Sequence, residues 1–135
     1  MSAQRVREIV ADAPYGILAT LDGEQPRLRP MAFVLTADGR LWSSTYRSSG
    51  KVREMEKNPR VEVCFVDRKR CHARFEGRAD LGGGPDKKER LLEINPKVRR
   101  HFASGQDEHF VHIEITPTRV EWTEPGFGEY HLVDW

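Results

Sequence analysis

The chain has 135 residues, which is enough for one domain with a single core, so we expect one domain over residues 1–135. Lysine and arginine number 22 against 21 for aspartate and glutamate, and the formal net charge is +1. This balance excludes a global field of the kind that recruits nucleic acid or an acidic membrane, so any anion site must be local.

The first third of the chain predicts one helix and then three strands, over residues 2–12, 15–21, 27–36 and 40–44. Val6, Ile9 and Val10 recur at the spacing of an amphipathic helix, and Asp-Gly turns separate the alternating strands. Because Pro30 lacks a backbone N–H, we expect the second strand to bend near it or to leave one side unpaired. The three strands are predicted to form an antiparallel meander.

Arg27 and Arg29 form a cationic pair on the second predicted strand. Side chains two residues apart in an extended chain lie on the same face, so both guanidinium groups should lie together. A solvated outer face is the usual arrangement for an arginine pair taken alone. The hydroxyl-rich turn after the neighbouring third strand favours a binding role instead.

Residues 43–51 combine hydroxyl side chains, a glycine and the cations Arg47 and Lys51 directly before a predicted helix. Hydroxyl groups and the free N–H groups of a helix's first turn donate hydrogen bonds to anions, close to the positive end of the helix dipole. The alternative is that Ser48 or Ser49 only caps the helix. Together with the arginine pair on the adjacent strand, this stretch predicts a phosphate site.

The remaining elements continue an antiparallel pattern, with helices over residues 49–57 and 86–94 and strands over 61–65, 71–79, 110–115 and 119–122. The glycine run at 82–84 lacks the Lys-Ser/Thr of a phosphate loop and indicates a connector. About six strands, with helices only at the start and in two connections, predict a mainly β fold, a small closed or split antiparallel β-barrel.

Neither a catalytic triad nor a metal site is predicted. No Ser-His-Asp or Cys-His pairing is identifiable, and His112 and Glu114 share a strand without a third ligand. The chain opens without a signal-peptide pattern, and no apolar run approaches the ~20 residues that span a bilayer. Two cysteines without a disulfide framework suit a reducing compartment, so we expect a soluble, cytoplasmic protein.

The aromatic C-terminal tail over residues 123–135 carries Phe127, Tyr130 and Trp135, close behind Trp122. One small domain cannot bury all of these rings, so a partner chain or a planar ligand should cover some of them.

Five stretches, at 16–20, 26–31, 43–51, 57–61 and 73–77, are similar in order and spacing to the pyridoxamine 5′-phosphate oxidase-like family of split-barrel flavoproteins. The final Val120-Glu121-Trp122 extends the resemblance over most of the chain, and the short branch that includes general stress proteins is the most similar. The resemblance implies an FMN-binding split β-barrel that forms homodimers, with the cofactor in clefts between the subunits.

The resemblance also implies a set of cofactor contacts. Arg29 and the residues after it on the strand would lie along the flavin, and Ser49 to Lys51 would hold its phosphate. His72 stands where the family has a glutamine near the ring, and Trp122 would close the cleft from the other subunit. The full implied set is Arg27, Arg29, Pro30, Met31, Ser44, Thr45, Ser49, Gly50, Lys51, His72 and Trp122.

Two departures separate the chain from the true oxidases. Val34 occupies the position of a lysine that helps to hold the vitamin's phosphate, and the run 121–124 lacks the Arg-x-His substrate signature. The resemblance therefore implies a flavin-dependent oxidoreductase of an unidentified small molecule rather than a vitamin B6 oxidase. The alternatives are a non-catalytic flavin- or anion-binding stress-response module, or a split barrel that holds deazaflavin or haem.

Overall fold

The computed structural model describes residues 2–135. The helices are α1 (Ser2–Asp12), α2 (Gly50–Lys57) and α3 (Pro85–Ile94), with a short 3₁₀ helix at Pro96–Arg100. The strands are β1 (Gly16–Asp22), β2 (Gln25–Met31), β3 (Val34–Leu35), β4 (Leu41–Tyr46), β5 (Arg60–Val66), β6 (His72–Asp80), β7 (Phe110–Thr123) and β8 (His131–Val133).

All eight strands join one antiparallel sheet with the order β2-β1-β5-β6-β7-β4-β3, and β8 adds to β7. The sheet curls into a half-barrel, so the predicted mainly β split barrel is confirmed. No helix among residues 2–135 is both long enough and apolar enough to cross a bilayer.

The second predicted strand breaks into two, and this corrects the predicted meander. β2 pairs with β1 at one edge of the sheet, whereas β3 pairs with β4 at the other edge. The prediction that the arginine strand lies beside β4 is therefore wrong. Pro26 and Pro30 supply no N–H to a second neighbour, which confines β2 to an edge. The curl of the sheet brings the two edges back together. There the Ser43 hydroxyl on β4 donates a hydrogen bond to the carbonyl of Ala32, the residue directly after β2, at 2.6 Å.

The two predicted strands at 110–115 and 119–122 are one long strand, β7. Pro117 stays within it because the pairing with β6 shifts register between Glu76 and Gly77. A Cβ at Gly77 would lie 2.6 Å from the Thr116 carbonyl oxygen, so the close approach of the strands requires glycine there. β8, in the aromatic tail, was not predicted.

Two apolar clusters hold the fold together. The main core fills the concave side of the sheet under α1, where the fully buried Phe75 meets Trp135 edge to face at 5.4 Å. The Trp135 indole N–H also donates to the Gly39 carbonyl at 2.8 Å, which ties the tail to the β3–β4 turn. The second cluster packs α3 and the 3₁₀ helix on the outside of the sheet, through Leu91, Leu92, Val98, Phe102 and Phe110.

Candidate anion-binding site

Arg29 on β2 and the buried Glu54 on α2 form an ion pair. The Arg29 guanidinium donates to Glu54 Oε1 at 2.9 Å and to the Thr20 hydroxyl oxygen at 2.7 Å. Thr20 in turn donates to the same carboxylate oxygen at 2.6 Å. Because Thr20 and Leu18 face the barrel interior on β1, the pairing of Leu18 with Arg29 directs the guanidinium toward α2.

Lys51 joins β4 to the first turn of α2. Its ammonium group donates to the Ser49 hydroxyl at 2.9 Å and to the buried Thr45 hydroxyl at 3.2 Å. Ser49 occupies the N-cap position of α2, yet its side chain makes no capping hydrogen bond. The first N–H groups of this helix therefore have no side-chain cap, and the alternative of a simple serine cap is wrong for Ser49.

Arg29 and Lys51 are close enough for each positive charge to affect the other. Burial lowers the pKa of Lys51 below its ordinary value, and the Arg29 guanidinium lowers it further, while Glu54 acts in the opposite direction. The hydrogen bond from Thr20, followed by the contact with Arg29, lowers the pKa of Glu54 against the effect of its own burial. Counted by side-chain type, the cluster has two cations, Arg29 and Lys51, and one carboxylate, Glu54.

This arrangement has the chemistry of an anion site. Lys51 makes no salt bridge with a carboxylate among residues 2–135. Its ammonium group, the Ser49 hydroxyl and the helix N–H groups can all donate to an incoming oxyanion. We call Arg29, Thr45, Ser49, Lys51 and Glu54 the Arg29–Lys51 cluster.

Not all of the implied cofactor residues lie in this cluster. Arg27 pairs with Asp22 at 3.2 Å and is about half exposed, although it shares a face with Arg29. Ser44 and Thr45 lie on opposite faces of β4, because burial alternates along the strand. Met31 and Ser44 instead line a cavity next to α3 and the 3₁₀ helix, and no cluster residue lines it. The remaining implied residues of this region, Pro30 and Gly50, flank the cluster at the end of β2 and the start of α2.

His72 and Trp122 lie elsewhere in the same chain. The His72 ring bonds to the Tyr130 hydroxyl at 2.8 Å, and Tyr130 also covers the Arg74 guanidinium at 3.9 Å. Trp122 lies under the Arg5 guanidinium of α1 at 5.4 Å and contacts His131, with the two rings tilted and their centroids 4.5 Å apart. Within one protomer neither residue joins the Arg29–Lys51 cluster, so their role at a cofactor stays a prediction.

Glu54, which belongs to the cluster, and its hydrogen-bond partner Thr20 were not among the predicted site residues. Glu54 is three positions after Lys51, and that spacing places both side chains on one side of a helix, so the signal was present. For Thr20 the strand pattern predicted a buried position but no role in the site. Its partner Glu54 is 34 residues away, and no local pattern reports such a contact.

A second buried polar group lies on the outer side of the sheet. Glu114 accepts hydrogen bonds from the Trp42 indole at 2.9 Å, Lys87 at 3.1 Å and Arg40 at 3.2 Å. His112 is fully buried beside Trp42, at 4.6 Å between ring centroids, and neither ring nitrogen has a protein partner among residues 2–135. Burial lowers the pKa of His112 to about 4, so the ring is neutral at physiological pH.

Several solved structures share this fold. A NimC/NimA family protein from Clostridium acetobutylicum is 25% identical, with a TM-score of 0.84 over 97% of this chain and 90% of that one. General Stress Protein 26 from Bacillus anthracis is 24% identical, with a TM-score of 0.78 over 96% and 97% of the two chains. A haem-binding protein from Mycobacterium smegmatis is 19% identical, with a TM-score of 0.80 over 98% of this chain and 57% of that one.

The sequence comparisons agree with the fold. No curated protein sequence matches the chain. The family model described as Pyridoxamine 5′-phosphate oxidase matches residues 2–123, which include all of the Arg29–Lys51 cluster. The chain therefore belongs to the pyridoxamine 5′-phosphate oxidase family.

Proposed function

We propose that the chain binds FMN by its phosphate at the Arg29–Lys51 cluster and uses the flavin as an oxidoreductase of a small molecule. The observation that carries the proposal is the pair of neighbouring cations, Arg29 and Lys51, with the single carboxylate of Glu54 near both. Such a cluster keeps a net positive charge and spare donors, which a phosphate monoester dianion requires.

The residues present fit the phosphate of FMN. Lys51 and Arg29 would meet its charge, and the Ser49 hydroxyl with the first N–H groups of α2 would donate to its oxygens. The bound flavin would supply the redox chemistry, and the polypeptide would supply orientation and electrostatics. Membership of the pyridoxamine 5′-phosphate oxidase family supports a flavin, while the valine at position 34 speaks against pyridoxamine phosphate as the substrate.

We expect Lys51→Ala to weaken FMN binding by about 1.5–3 kcal/mol, the range for a hydrogen bond to a charged group. The dissociation constant would be measured by titrating FMN into cofactor-free protein and following the flavin absorbance or fluorescence. Lys57→Ala, an exposed lysine in the last turn of the same helix, is the matched control and should leave the constant unchanged. Equal affinities for the two variants would reject the phosphate assignment.

A haem is the second candidate cofactor, because the mycobacterial haem-binding protein has a similar fold. The absorbance spectrum of freshly purified protein separates FMN, deazaflavin and haem in one measurement. If a flavin is bound, reduction by NADH or NADPH followed by reoxidation would support catalysis. A flavin that no donor reduces would support a non-catalytic binding module instead.

We also propose that the chain is a homodimer that uses the outer face of β1 and β2. Paired residues on these strands share that face, and all of them are apolar: Ile17, Ala19, Leu21, Pro26, Leu28 and Pro30. Leu28 is 69% exposed in the single chain. A continuous apolar face of this kind marks an interaction surface on a protein of this size.

Leu28→Glu should convert the dimer to a monomer at micromolar concentration, because the glutamate would be buried without a partner at the interface. Sedimentation velocity gives the oligomeric state directly. Ile94→Glu is the matched control, because Ile94 is an exposed aliphatic residue of the same size as Leu28 but lies at the end of α3. This variant should leave the dimer intact. A wild-type chain that sediments as a monomer, or an unaffected Leu28→Glu variant, would contradict the proposed interface.

We also propose a cytoplasmic location, which the free thiols of Cys64 and Cys71 support because unpaired cysteines suit a reducing compartment.

A further inference from the structure

Two pairs of like charges stand opposite each other on the outer face of the sheet. Arg60 on β5 is the register partner of Arg78 on β6, and Glu62 on β5 is the register partner of Glu76 on β6. Burial alternates along both strands and the residues between these positions are buried, so all four charged side chains lie on the outer face. We call Arg60 and Arg78 the arginine row, and Glu62 and Glu76 the glutamate row.

These charges are poorly compensated within the single chain. Among residues 2–135, neither arginine of the arginine row makes a salt bridge, and Glu62 makes none. Glu76 pairs with Arg119 at 3.4 Å, but both of these side chains are about half exposed. Like charges directly opposite each other destabilise an antiparallel strand pair. Opposite charges supplied by a partner would relieve this repulsion in both rows.

The two rows continue the apolar face of β1 and β2 that we propose for the dimer. Ala19, which belongs to that face, is the register partner of Glu62. A surface groove of about 390 Å³ joins the two areas, and its lining includes Leu21 and Pro26 together with both charged rows. A stable interface takes about 20–30 residues from each chain, which is more than the apolar face supplies. A second copy seated on that face would therefore also reach β5 and β6.

A twofold axis makes this charge pattern self-complementary. In a symmetric dimer, residue i of one chain contacts residue j of the other, and residue j of the first contacts residue i of the second. The two rows are two residues apart along the strands, a separation of about 7 Å. An axis that runs between the rows, across the strands, places the arginine row of each copy opposite the glutamate row of the other. The same axis lays β1 and β2 on their own counterparts, so apolar side chains meet apolar side chains.

We infer that the interface extends over β5 and β6 and that crossed ion pairs there select a second copy of this chain. Arg60 would pair with Glu62 of the partner subunit, and Arg78 would pair with Glu76 of the partner subunit. Guanidinium and carboxylate groups form strong, directional pairs, and complementary charges favour the correct partner while like charges repel a wrong one. The inference rests on the proposed homodimer, to which it adds a register and a source of selectivity.

Two oppositely charged double variants test the crossed pairs. Arg60→Glu with Arg78→Glu makes both rows acidic, whereas Glu62→Lys with Glu76→Lys makes both rows basic. We expect each variant alone to dimerise at least about a hundredfold more weakly than the wild type, because like charges then meet across the axis. An equimolar mixture should form a heterodimer with an affinity close to that of the wild type. Sedimentation velocity over a concentration series, with one variant fluorescently labelled, measures both quantities.

A matched control separates these pairs from a change in net charge. Lys97→Glu with Arg100→Glu makes the same charge change as the acidic variant on the exposed surface of the 3₁₀ helix, and it should dimerise like the wild type. Circular dichroism and thermal melting show whether each variant is folded. If a charge reversal unfolds the chain, Arg60→Gln with Arg78→Gln replaces it, and we expect about a tenfold loss of dimer affinity.

The outcomes separate this inference from the proposed homodimer. Folded charge variants that dimerise like the wild type, or a mixture that stays monomeric, would overturn the crossed pairs. In that case a monomeric Leu28→Glu variant would still support a dimer on the apolar face alone. A wild-type chain that sediments as a monomer would end both proposals, whereas titration with FMN tests the phosphate site independently of either.

Discussion

Replacing Arg29 by methionine should lower the free energy of unfolding by about 2–3 kcal/mol. Among residues 2–135 the substitution leaves the buried Glu54 carboxylate with the Thr20 hydroxyl as its one side-chain donor. Removing one partner of a fully buried pair costs about 3–5 kcal/mol. The expected cost lies below that range because the Arg29 side chain is 20% exposed in the structure. Urea denaturation at pH 7 would measure the change.

Two further variants separate the buried pair from a simple loss of positive charge. Adding Glu54→Gln to Arg29→Met should restore most of the lost stability, because a neutral amide needs no counter-charge. Arg27→Met removes an arginine two residues away on the same face, but its pair with Asp22 is exposed and should contribute less than about 1 kcal/mol. Equal losses for Arg27→Met and Arg29→Met would contradict the assigned role of Glu54.

The protein should lose stability on mild acidification because of His112. Its pKa is lowered to about 4 in the fold, chiefly by burial, whereas the same ring titrates near 6.5 in an unfolded chain. Below pH 6.5 the unfolded chain takes up a proton that the folded chain resists, so the equilibrium shifts toward unfolding. The loss should reach about 2 kcal/mol between pH 7.5 and 5, and about 3 kcal/mol by pH 4.

Urea denaturation between pH 7.5 and 5 isolates this effect from the buried glutamates. The folded chain lowers the pKa values of Glu54 and Glu114. The stability that these two carboxylates contribute is therefore fully present at pH values above the pKa of an unfolded glutamate, and it is lost only as the pH falls below that value. His112→Leu should remove most of the slope over this interval and leave the smaller part that comes from His72, whose pKa burial also lowers, while His109→Leu, at an exposed position just before β7, should not change it. A wild-type profile that is flat from pH 7.5 to 5 would rule out the buried neutral ring.

The structure brings together two cations that the sequence analysis singled out, but not by the predicted geometry. The hydroxyl-rich turn before α2 and the arginine pair both carry local signals, and the structure brings Arg29 and Lys51 together. The sequence analysis expected the arginine strand and β4 to be neighbours in the sheet. That expectation was wrong because the alternation of apolar and polar residues along a strand is the same whichever strands pair with it. The curl that joins Ala32 to Ser43 depends on the whole sheet and has no local signature.

The buried polar groups show the same limit. Glu114 reads as an ordinary polar strand residue, because its partner Trp42 is 72 positions away in the chain. The predicted role of His72 came from the family resemblance. The residues near it in the sequence do not indicate the contact with Tyr130, which is 58 positions away. Strand periodicity predicts which face a residue occupies, whereas its partner on that face depends on long-range pairing.

The central place of β7 in the sheet has a consequence for how the chain acquires its fold. β7 lies between β6 and β4, yet it is made after both of them. During translation each of those strands keeps an open edge until residues 110–123 leave the ribosome, and open edges invite pairing with other chains. Since such distant contacts form only after long loops have closed, barrel closure is a late and slow kinetic event. The emergence of one strand therefore ends the aggregation-prone stage for two others.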